Sequence, residues 1–344
     1  MTDSRFTIKD IARMAGVSIG TVDRVIHDRG RVSWETRDKI LALIKETGFT
    51  PNIQASRLSR SKVWRVAALV PREHQDNGFW AASHRGLEAA QREYRPLGLV
   101  VNLYTYDRNN SGSFHSAAET MQEEGFDGLI LAPVLPDQSR SLLARIPPKT
   151  PLILFDTPLP GADPLSFIGQ DAYAAGQTAA HLMSLGLEGA GRLACVRIHP
   201  ADHHILQRTR GFGEFFGGET LPLELTIAEG EPLDVNRCLD ELFSRLPDPE
   251  GLYVSNALVG LFAAEARRRA PGIRIIGHDL TEANTNLLQE GLIDFLLGQH
   301  PADQTLGAVR LLWRHFALGE TLPPLVPMSI EVVSRENLIF AGPR

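Results

Sequence analysis

The chain has 344 residues, a length typical of two or three domains. Hydrophobic residues make up 43% and charged residues 22%, which supports a large core and excludes a wholly disordered chain. The net charge of -6 excludes a uniformly basic nucleic-acid binder. However, residues 1–62 carry 12 Lys and Arg against 7 Asp and Glu, and the remainder carries 23 against 34. This asymmetry indicates a small polyanion-binding segment attached to an acidic body.

Cysteine content and apolar runs limit the class of protein further. The two cysteines, Cys195 and Cys238, provide neither metal-ligand spacing nor a disulfide framework. The N-terminus reaches charged residues at once and lacks the apolar segment of a secretory signal. No apolar run approaches the roughly 18–20 residues of a membrane span. We therefore expect a cytoplasmic protein without membrane contact, metal site or cofactor.

Three short helices are predicted in the first fifty residues. Thr7, Ser18 and Ser33 each stand where a helix N-cap is expected, and apolar residues follow each at helical spacing. Gly16 ends the first helix. The tight turn at 15–18 predicts a helix-turn-helix, although any small helical bundle would show a similar pattern.

This segment resembles the DNA-binding head of the LacI/GalR family of bacterial regulators. The likeness is carried by Thr7-Ile8-Lys9-Asp10-Ile11-Ala12, Ala15-Gly16-Val17-Ser18, Thr21-Val22, Arg24-Val25, Val32-Ser33, Thr36-Arg37 and Gly48-Phe49-Thr50-Pro51-Asn52. It implies that the second helix enters the major groove of an operator. The residues that match phosphate-contacting positions of the family are expected to contact phosphates here. They are Thr7, Ser18, Thr21, Arg31, Ser33 and Thr36.

Four residues near the start of the second helix are candidates for base readout. Arg24 can make a bidentate contact to guanine, or it can contact a phosphate. Ile19 can pack on a thymine methyl, whereas Gly20 has no side chain for readout. Asp23 can accept from cytosine N4 or orient Arg24. Ile19, Gly20 and Asp23 depart from the residues usual in the family, so the operator sequence stays open.

Residues 51–62 resemble the hinge helix of the same family. The segment has little apolar surface of its own, so we expect it to order on the operator. The resemblance implies contacts from Asn52 and Ala55, and Leu58 stands where the family inserts a leucine between base pairs of the minor groove. A flexible linker with one stray leucine is the alternative.

The remaining residues predict an α/β fold. Strands are expected at 66–70, 99–104, 128–132, 152–155, 192–197, 223–228, 251–254 and 273–277, with helices between them. This alternation indicates two doubly wound parallel sheets forming a two-lobed body with a crevice at the strand ends. The predicted domains are a head at 1–50, a hinge at 51–62, an N-lobe at about 63–165 plus 297–326, and a C-lobe at about 166–296 plus 327–344.

Polar and aromatic residues follow the predicted strands. The candidate ligand residues are Asn77, Phe79, Trp80, Asp156, Arg208, Asn256, Asp279 and Gln299. Together they resemble periplasmic sugar-binding proteins of the ribose type, whose fold the family's effector domain shares. Carboxylates, amides and guanidinium suit the hydroxyls of a polyol, and aromatic rings pack on its C–H faces. Thr157 stands where ribose-type proteins have Arg, so another sugar, polyol or cyclitol is as well suited as ribose.

Other interpretations of the body remain open at this point. The cluster of His199, Asp202, His203 and His204 could bind metal, but crevice lining suits adjacent histidines better. Asp156 and Asp279 could be an acid/base pair of a sugar-acting enzyme. No phosphate loop or nucleophile motif supports catalysis. A transport or chemoreceptor binding protein is a further alternative, but the DNA-binding head that the sequence resembles argues against it.

We therefore expect a homodimeric transcriptional repressor and not an enzyme. Two heads would bind the two half-sites of a palindromic operator, because the symmetry of a dimer mirrors that of its site. A small sugar, polyol or cyclitol between the lobes would change the affinity for DNA.

Overall fold

A computed structural model describes residues 8–26, 32–47, 63–185, 187, 192–199, 202–217, 223–227 and 233–341. The chain divides into two compact units, Met1–Lys62 and Val63–Arg344. Among the described residues, no helix is both long enough and apolar enough to cross a membrane.

The N-terminal unit contains three helices, α1 Ile8–Ala15, α2 Ile19–Ile26 and α3 Trp34–Thr47. Their inward faces form one small core of Ile11, Ala12, Ala15, Val22, Val25 and Ile40. Gly16 lies between α1 and α2 at φ +71°, a left-handed conformation that glycine adopts without the Cβ penalty. The predicted helix-turn-helix arrangement is confirmed.

Serine side chains cap the second and third helices, as predicted. Ser18 Oγ accepts from the backbone N–H of Thr21 at 3.1 Å. Ser33 Oγ lies 3.4 Å from the N of Thr36 and donates to the hydroxyl of that residue at 2.8 Å. Both caps satisfy an N–H group that would otherwise lack a partner at a helix start.

The first sheet of the second unit has six parallel strands in the order β11-β5-β4-β3-β1-β2. The strands are β1 Trp64–Pro71, β2 Leu99–Tyr106, β3 Gly128–Leu131, β4 Leu152–Phe155, β5 Ser166–Gly169 and β11 Leu325–Pro327. The helices of this lobe are α4 Gln75–Tyr94, α5 Ser111–Glu124, α6 Pro136–Leu143 and α12 Pro301–Leu318. Helices α4 and α12 pack together, as do α5 and α6, so both faces of the sheet are covered.

The second sheet has the order β12-β10-β9-β8-β6-β7. Its strands are β6 Leu193–Ile198, β7 Leu223–Ile227, β8 Gly251–Val254, β9 Arg274–His278, β10 Phe295–Gly298 and β12 Glu331–Val333. Its helices are α7 Ala172–Ser184, α8 His203–Phe215, α9 Val235–Arg245, α10 Val259–Arg269 and α11 Glu282–Gln289. Two parallel-dominated sheets confirm the predicted fold class.

One pair of strands departs from the predicted parallel pattern. Strand β12 runs antiparallel to β10. The chain reaches β12 directly from the end of β11, so it enters the second lobe at the edge where β10 ends. Because β10 ends at this edge and β12 begins there, the two strands run in opposite directions.

The chain passes between the lobes three times, after β5, after β10 and after β11. The predicted lobe boundaries therefore shift by a few residues. Strand β5 pairs with β4 and β11, so it belongs to the first lobe, although the C-lobe was expected to begin at 166. All of β10 belongs to the second sheet, although a crossing was expected at 297. The first crossing instead begins at Gln170 and the second at Gln299.

Helices α7 and α8 approach each other closely through two glycines. A Cβ on Gly176 would overlap the carbonyl oxygen of Arg208, and one on Gly211 would overlap that of Tyr173. A larger side chain at either position would separate these helices, so both glycines allow α8 to pack closely against α7. The start of α8 carries Arg208 towards the crevice.

Candidate functional site

A small pocket lies between the two lobes of the second unit, where strand ends of both sheets meet. It is lined by Asp76, Phe79, Trp80, Arg108, Asp156, Asp202, His204, Ile205, Arg208, Asn256, Ala257, Asp279 and Gln299. The space between these side chains is about 20 Å³, enough for one water molecule. Seven of the eight predicted ligand residues therefore meet at one site.

Left-handed backbone conformations concentrate around this pocket. Asp156 follows β4 at φ +67° and Asp279 follows β9 at φ +71°. Such conformations are uncommon for residues other than glycine, and they cluster at functional sites. The same conformation occurs at Asp76, Asn77, His199 and His300. Each of these residues follows a strand or lies at a connection between the lobes.

A hydrogen-bonded chain joins Arg208 to Asp279 through Gln299. Arg208 Nη2 donates to Gln299 Oε1 at 3.1 Å, and Gln299 Nε2 donates to Asp279 Oδ1 at 2.8 Å. Arg208 Nη1 donates to the carbonyl oxygen of Ser255 at 3.1 Å. These bonds fix the amide orientation of Gln299 and hold the guanidinium of Arg208 in the pocket.

Asp279 does not cap the helix that follows it. Thr281 occupies the N-cap of α11, and its side chain accepts from the backbone N–H of Asn284 at 3.2 Å. Burial raises the pKa of Asp279 to about 6, and Arg208 and Gln299 only partly offset this effect. Asp279 thus faces the pocket with one carboxyl oxygen bound to Gln299.

Asp156 is held from its backbone, whereas one of its carboxyl oxygens is unpaired. Its N–H donates to Gln304 Oε1 at 2.9 Å, and Gln304 Nε2 donates to the carbonyl oxygen of Gln299 at 2.8 Å. Asp156 Oδ1 has no hydrogen-bond partner within the described part of the chain. Burial raises the pKa of Asp156 to about 8, since nearby Arg208 offsets only part of the desolvation.

Arg108 forms a buried ion-pair network that joins the two lobes. Its Nη1 lies 2.6 Å from Asp76 Oδ2 in the first lobe, and its Nη2 lies 2.8 Å from Asp202 Oδ2 in the second lobe. Although burial opposes ionisation, Arg108 and His199 hold the pKa of Asp76 well below its usual range. Burial dominates at Asp202 and raises the pKa of that carboxyl group. The closed arrangement of the lobes is therefore stabilised by the ion pair between Arg108 and Asp202.

Aromatic side chains form one wall of the pocket. Trp80 Nε1 donates to Asp76 Oδ2 at 2.7 Å, so the indole is fixed by the same carboxylate that binds Arg108. The rings of Phe79 and Trp80 are 4.9 Å apart in an edge-to-face arrangement. Such a wall can pack against apolar ligand atoms.

The histidine-rich segment after β6 does not form a metal site within the described residues. Asp202 binds Arg108, and the backbone N–H of His204 lies 3.4 Å from Thr157 Oγ1 in the other lobe. Burial and the neighbouring guanidinium groups hold the pKa of His204 well below its usual range, so its ring is neutral. Asp202 and His204 line the pocket, so this segment contributes to the crevice.

Asn77 is the one predicted ligand residue that does not line the pocket. Its Nδ2 contacts the carbonyl oxygen of Ala257 at 3.2 Å and Asn284 Oδ1 at 3.1 Å, so it joins the lobes. Left-handed conformations at Asp76 and Asn77 bring the side chain of Asp76 to the pocket in its place. Asn256 lines the pocket and accepts from the backbone N–H of Leu258 through Oδ1 at 3.1 Å.

Sequence reasoning missed Asp76 and Arg108 as pocket residues. Arg108 lies just after β2, so the strand-end rule applied to the second strand would have included it. Asp202 and His204 were considered only for metal binding or as crevice lining. Their sequence gives no sign that Arg108 from the other lobe neutralises Asp202.

In the N-terminal unit, the proposed base-reading residues lie on an open surface. Ile19, Gly20 and Arg24 are exposed, as are the capping residues Ser18 and Ser33. Thr21 and Thr36 are partly buried by their contacts with these caps. The remaining predicted DNA contacts lie outside the described residues; they are Thr7, Arg31, Asn52, Ala55, Leu58 and the side chain of Asp23.

A helix-turn-helix unit joined to a two-lobed body with an interlobe pocket defines a DNA-binding transcriptional regulator. Residues 7–52 match the bacterial regulatory proteins of the lacI family, and residues 67–321 match the periplasmic binding protein domain. The chain belongs to the LacI/GalR family of transcriptional regulators.

Relatives of both parts support this assignment. The HTH-type transcriptional regulator DegA of Bacillus subtilis is 27% identical over 287 residues, covering 80% of this chain and 82% of DegA. The sucrose operon repressor of Klebsiella pneumoniae is 34% identical over 169 residues, covering 48% of each chain. A solved structure from Bacteroides fragilis, assigned as a LacI transcriptional regulator, has a TM-score of 0.73 and 25% identity, covering 81% of this chain and 99% of that one.

Proposed function

We propose that this chain is a homodimeric repressor that binds a palindromic operator and responds to a small sugar, polyol or cyclitol in its interlobe pocket. The observation that carries the proposal is the meeting of seven predicted strand-end residues at one pocket, in a chain that also has a helix-turn-helix unit. We place this activity in the cytoplasm, where an operator is accessible.

The chemistry of the pocket suits a hydroxylated ring. Carboxyl groups of Asp156 and Asp279 accept hydrogen bonds from hydroxyls, whereas Arg208 donates to them. Phe79 and Trp80 offer apolar surface to C–H groups of the ring. A pocket of this kind orients several hydroxyls at once, which favours recognition of their stereochemistry.

Ligand entry requires separation of the lobes, because the free space of about 20 Å³ in the pocket is far smaller than a sugar ring. Separation would break the Arg108–Asp202 ion pair and the contact of Asn77 with Ala257. A ligand that bridges both lobes would then favour closure. We propose that this population shift changes the arrangement of the two DNA-binding units in the dimer.

The likeness to the sucrose operon repressor supports repression as the direction of control. In the proposed complex, α2 enters the major groove and the segment at 51–62 enters the minor groove. Two copies of the chain are needed to occupy both half-sites. The crevice binds its ligand without converting it, so incubation with that ligand should yield no product.

The ligand half of the proposal is tested by thermal unfolding of the full chain with a panel of sugars, polyols and cyclitols. A ligand that binds the folded state raises the melting temperature in a concentration-dependent way. It should also change the affinity for operator fragments chosen by selection from random duplex DNA. If no panel member raises the melting temperature, a sugar-like effector is excluded.

The DNA half is tested by Leu58→Ala. We expect weaker operator binding in gel-shift titrations and an unchanged melting temperature, since this leucine would contact DNA and not the core. Leu261→Ala is the matched control, because Leu261 is 46% exposed on α10 in the second lobe. Equal operator affinity of the two variants would contradict the hinge assignment.

A further inference from the structure

Asn77 connects the two lobes through an amide group that does not line the pocket. It lies in the first lobe near the start of α4, and its Nδ2 donates to the carbonyl oxygen of Ala257 at 3.2 Å and to Asn284 Oδ1 at 3.1 Å. Both acceptors belong to the second lobe, Ala257 just after β8 and Asn284 on α11. Asn77 therefore joins the lobes from outside the space that a ligand would occupy.

The acceptor on α11 is held in place by its own lobe. Asn284 is fully buried, and its Oδ1 accepts from the backbone N–H of Gly260 at 3.1 Å. Its Nδ2 lies 2.9–3.1 Å from three backbone carbonyl oxygens of the second lobe, those of Ala257, His278 and Asp279. None of these bonds depends on closure of the lobes. The second lobe thus presents a preformed acceptor for the Asn77 amide.

The same acceptor is connected to the pocket through Asp279. Asn284 Nδ2 lies 3.1 Å from the carbonyl oxygen of Asp279, whose side chain lines the pocket. Asn284 thereby links the contact with Asn77 to the strand end that carries a carboxyl group of the pocket. The docking of Asn77 and any ligand contact at Asp279 share one set of hydrogen bonds.

Three successive left-handed residues bring Asn77 to this contact. Asp76, Asn77 and Gly78 have φ values of +51°, +57° and +79°. The turn sends adjacent side chains to two places, because the carboxyl group of Asp76 lines the pocket while the amide of Asn77 reaches α11. Residues other than glycine are uncommon in this conformation, which persists where the surrounding structure requires it.

Apolar packing accompanies the hydrogen bonds of Asn77. Ala257 follows a strand of the second sheet, yet its side chain is 2% exposed and packs with the hydrophobic cluster of the first lobe. Its carbonyl oxygen lies within hydrogen-bonding distance of Asn77 Nδ2 and of Asn284 Nδ2. Separation of the lobes would expose the methyl group of Ala257 and break the bonds of Asn77 together, so both contacts form only on closure.

We propose that Asn77 is a positioning residue that stabilises the closed lobes without contacting the effector. Hydrogen bonds that exist only in the closed state favour that state whichever ligand occupies the pocket. Asn77 therefore changes the affinity for every effector by one common factor and leaves discrimination between effectors to the pocket residues. This proposal rests on the ligand-controlled function proposed above.

Two substitutions of Asn77 keep its backbone conformation and change its amide. Asn77→Gly removes the side chain at no cost to the left-handed turn, and Asn77→Asp replaces the donor by a carboxylate oxygen that faces two other oxygens. The probes are D-glucose, D-galactose, D-ribose and myo-inositol, titrated by calorimetry into the full chain. For those that bind the wild type, affinity should fall by about fivefold or more in Asn77→Gly, the loss of one neutral hydrogen bond, and further in Asn77→Asp.

Asn286→Asp is the matched control, because Asn286 is an exposed amide on α11. It should bind each probe with wild-type affinity.

Two measurements distinguish closure from direct contact with the ligand. The ratio of affinities for any two probes that bind should stay at its wild-type value in both Asn77 variants. The dissociation rate of the ligand should rise by the same factor as the affinity falls, and the association rate should change little, because the ligand enters the open form. Stopped-flow tryptophan fluorescence reports both rates, since Trp80 lines the pocket.

Each contrary result has its own meaning. Wild-type affinity in both Asn77 variants overturns the closure role and leaves a ligand-responsive regulator intact. A changed ratio between probes also overturns it, because Asn77 would then contact the ligand. A lower melting temperature of the unliganded variants with an unchanged dissociation rate shows a role in folding alone and overturns it as well. If no probe binds the wild-type chain, the proposed function fails and this proposal fails with it.

Discussion

Gln299 donates to Asp279 across the ends of adjacent strands, with 2.8 Å between Nε2 and Oδ1. The same amide accepts from Arg208 through its Oε1. Gln299 also stands where the chain leaves β10 for the first lobe, so one side chain connects the pocket to a crossing between the lobes. Ligand contacts at Asp279 are thereby coupled to the segment that must move when the lobes separate.

Asp279→Ala should abolish most of the response to ligand. Charge-assisted hydrogen bonds contribute roughly 1.5–3 kcal/mol each, so loss of two would lower ligand affinity by about a hundredfold or more. Operator binding without ligand should persist, because the N-terminal unit is unchanged. Calorimetric titration with the ligand identified from the panel measures the first effect, and gel shift measures the second.

Glu282→Ala is the matched control for Asp279→Ala. Glu282 is an exposed carboxylate in the first turn of α11, three residues further along the chain. It should bind ligand with wild-type affinity. A normal isotherm for Asp279→Ala would mean that the ligand occupies another site.

The strand-end rule predicts most of the pocket because parallel strands bring their carboxyl ends to one edge. It finds Asp156, Asn256 and Asp279 directly. It does not distinguish Asp76 from Asn77, since the choice depends on left-handed backbone conformations that the sequence does not specify. The contacts of Asp76 and Asn77 with the other lobe cannot be predicted from the sequence either, because their partners are distant along the chain.

The same distinction applies to the strands: those with a clear apolar pattern can be predicted from the sequence, whereas those defined by pairing with distant segments cannot. Long apolar runs such as Val66–Val70 predict buried strands, and they are buried. The short strands β5, β10, β11 and β12 were not predicted. Strands β11 and β12 have only three residues each, and pairing with distant strands defines all four more than their own sequence does.

Burial of Asp156 should make stability depend on pH. Its pKa is about 8 in the folded chain against 3.8 for an ordinary aspartate, so the folded state keeps a proton that the unfolded state releases. This contribution to the free energy of unfolding is complete below pH 4 and falls as pH rises to about 8. Relative to the wild type, Asp156→Asn should therefore become more stable as the pH rises from 6 to 8.5.

Urea unfolding at pH 6 and pH 8.5 provides the measurement for Asp156→Asn. Asp279 has a folded pKa of about 6, so most of its own effect lies below this range. Asp163→Asn should keep the wild-type pH dependence, because Asp163 is exposed. Equal pH slopes for Asp156→Asn and the wild type would show that Asp156 is already ionised at pH 6.

Gly176→Ala should destabilise the second lobe. The added methyl group would overlap the backbone of Arg208 and push α8 away from α7, an overpacking effect of about 1–3 kcal/mol. Displacement of Arg208 should also weaken ligand binding.

Gly213→Ala is the control on α8, since a Cβ there meets nothing within 4 Å. It should stabilise the chain by about 0.5–1 kcal/mol, because alanine favours helix over glycine. Urea unfolding distinguishes the two signs, and unchanged or raised stability of Gly176→Ala would contradict the close approach of α7 and α8.

Arg24→Ala should alter the sequence preference of operator binding. Arg24 is exposed on α2, where a bidentate contact to guanine would contribute about 1–3 kcal/mol at a single base pair. Gel-shift titrations against operators substituted at each position in turn should show wild-type discrimination lost at one base pair and retained elsewhere. Lys39→Ala is the control, because Lys39 is an exposed cation on α3, outside the predicted recognition helix. If Arg24→Ala instead weakens every sequence equally and lowers the salt dependence, Arg24 contacts a phosphate and the bases are read by other residues.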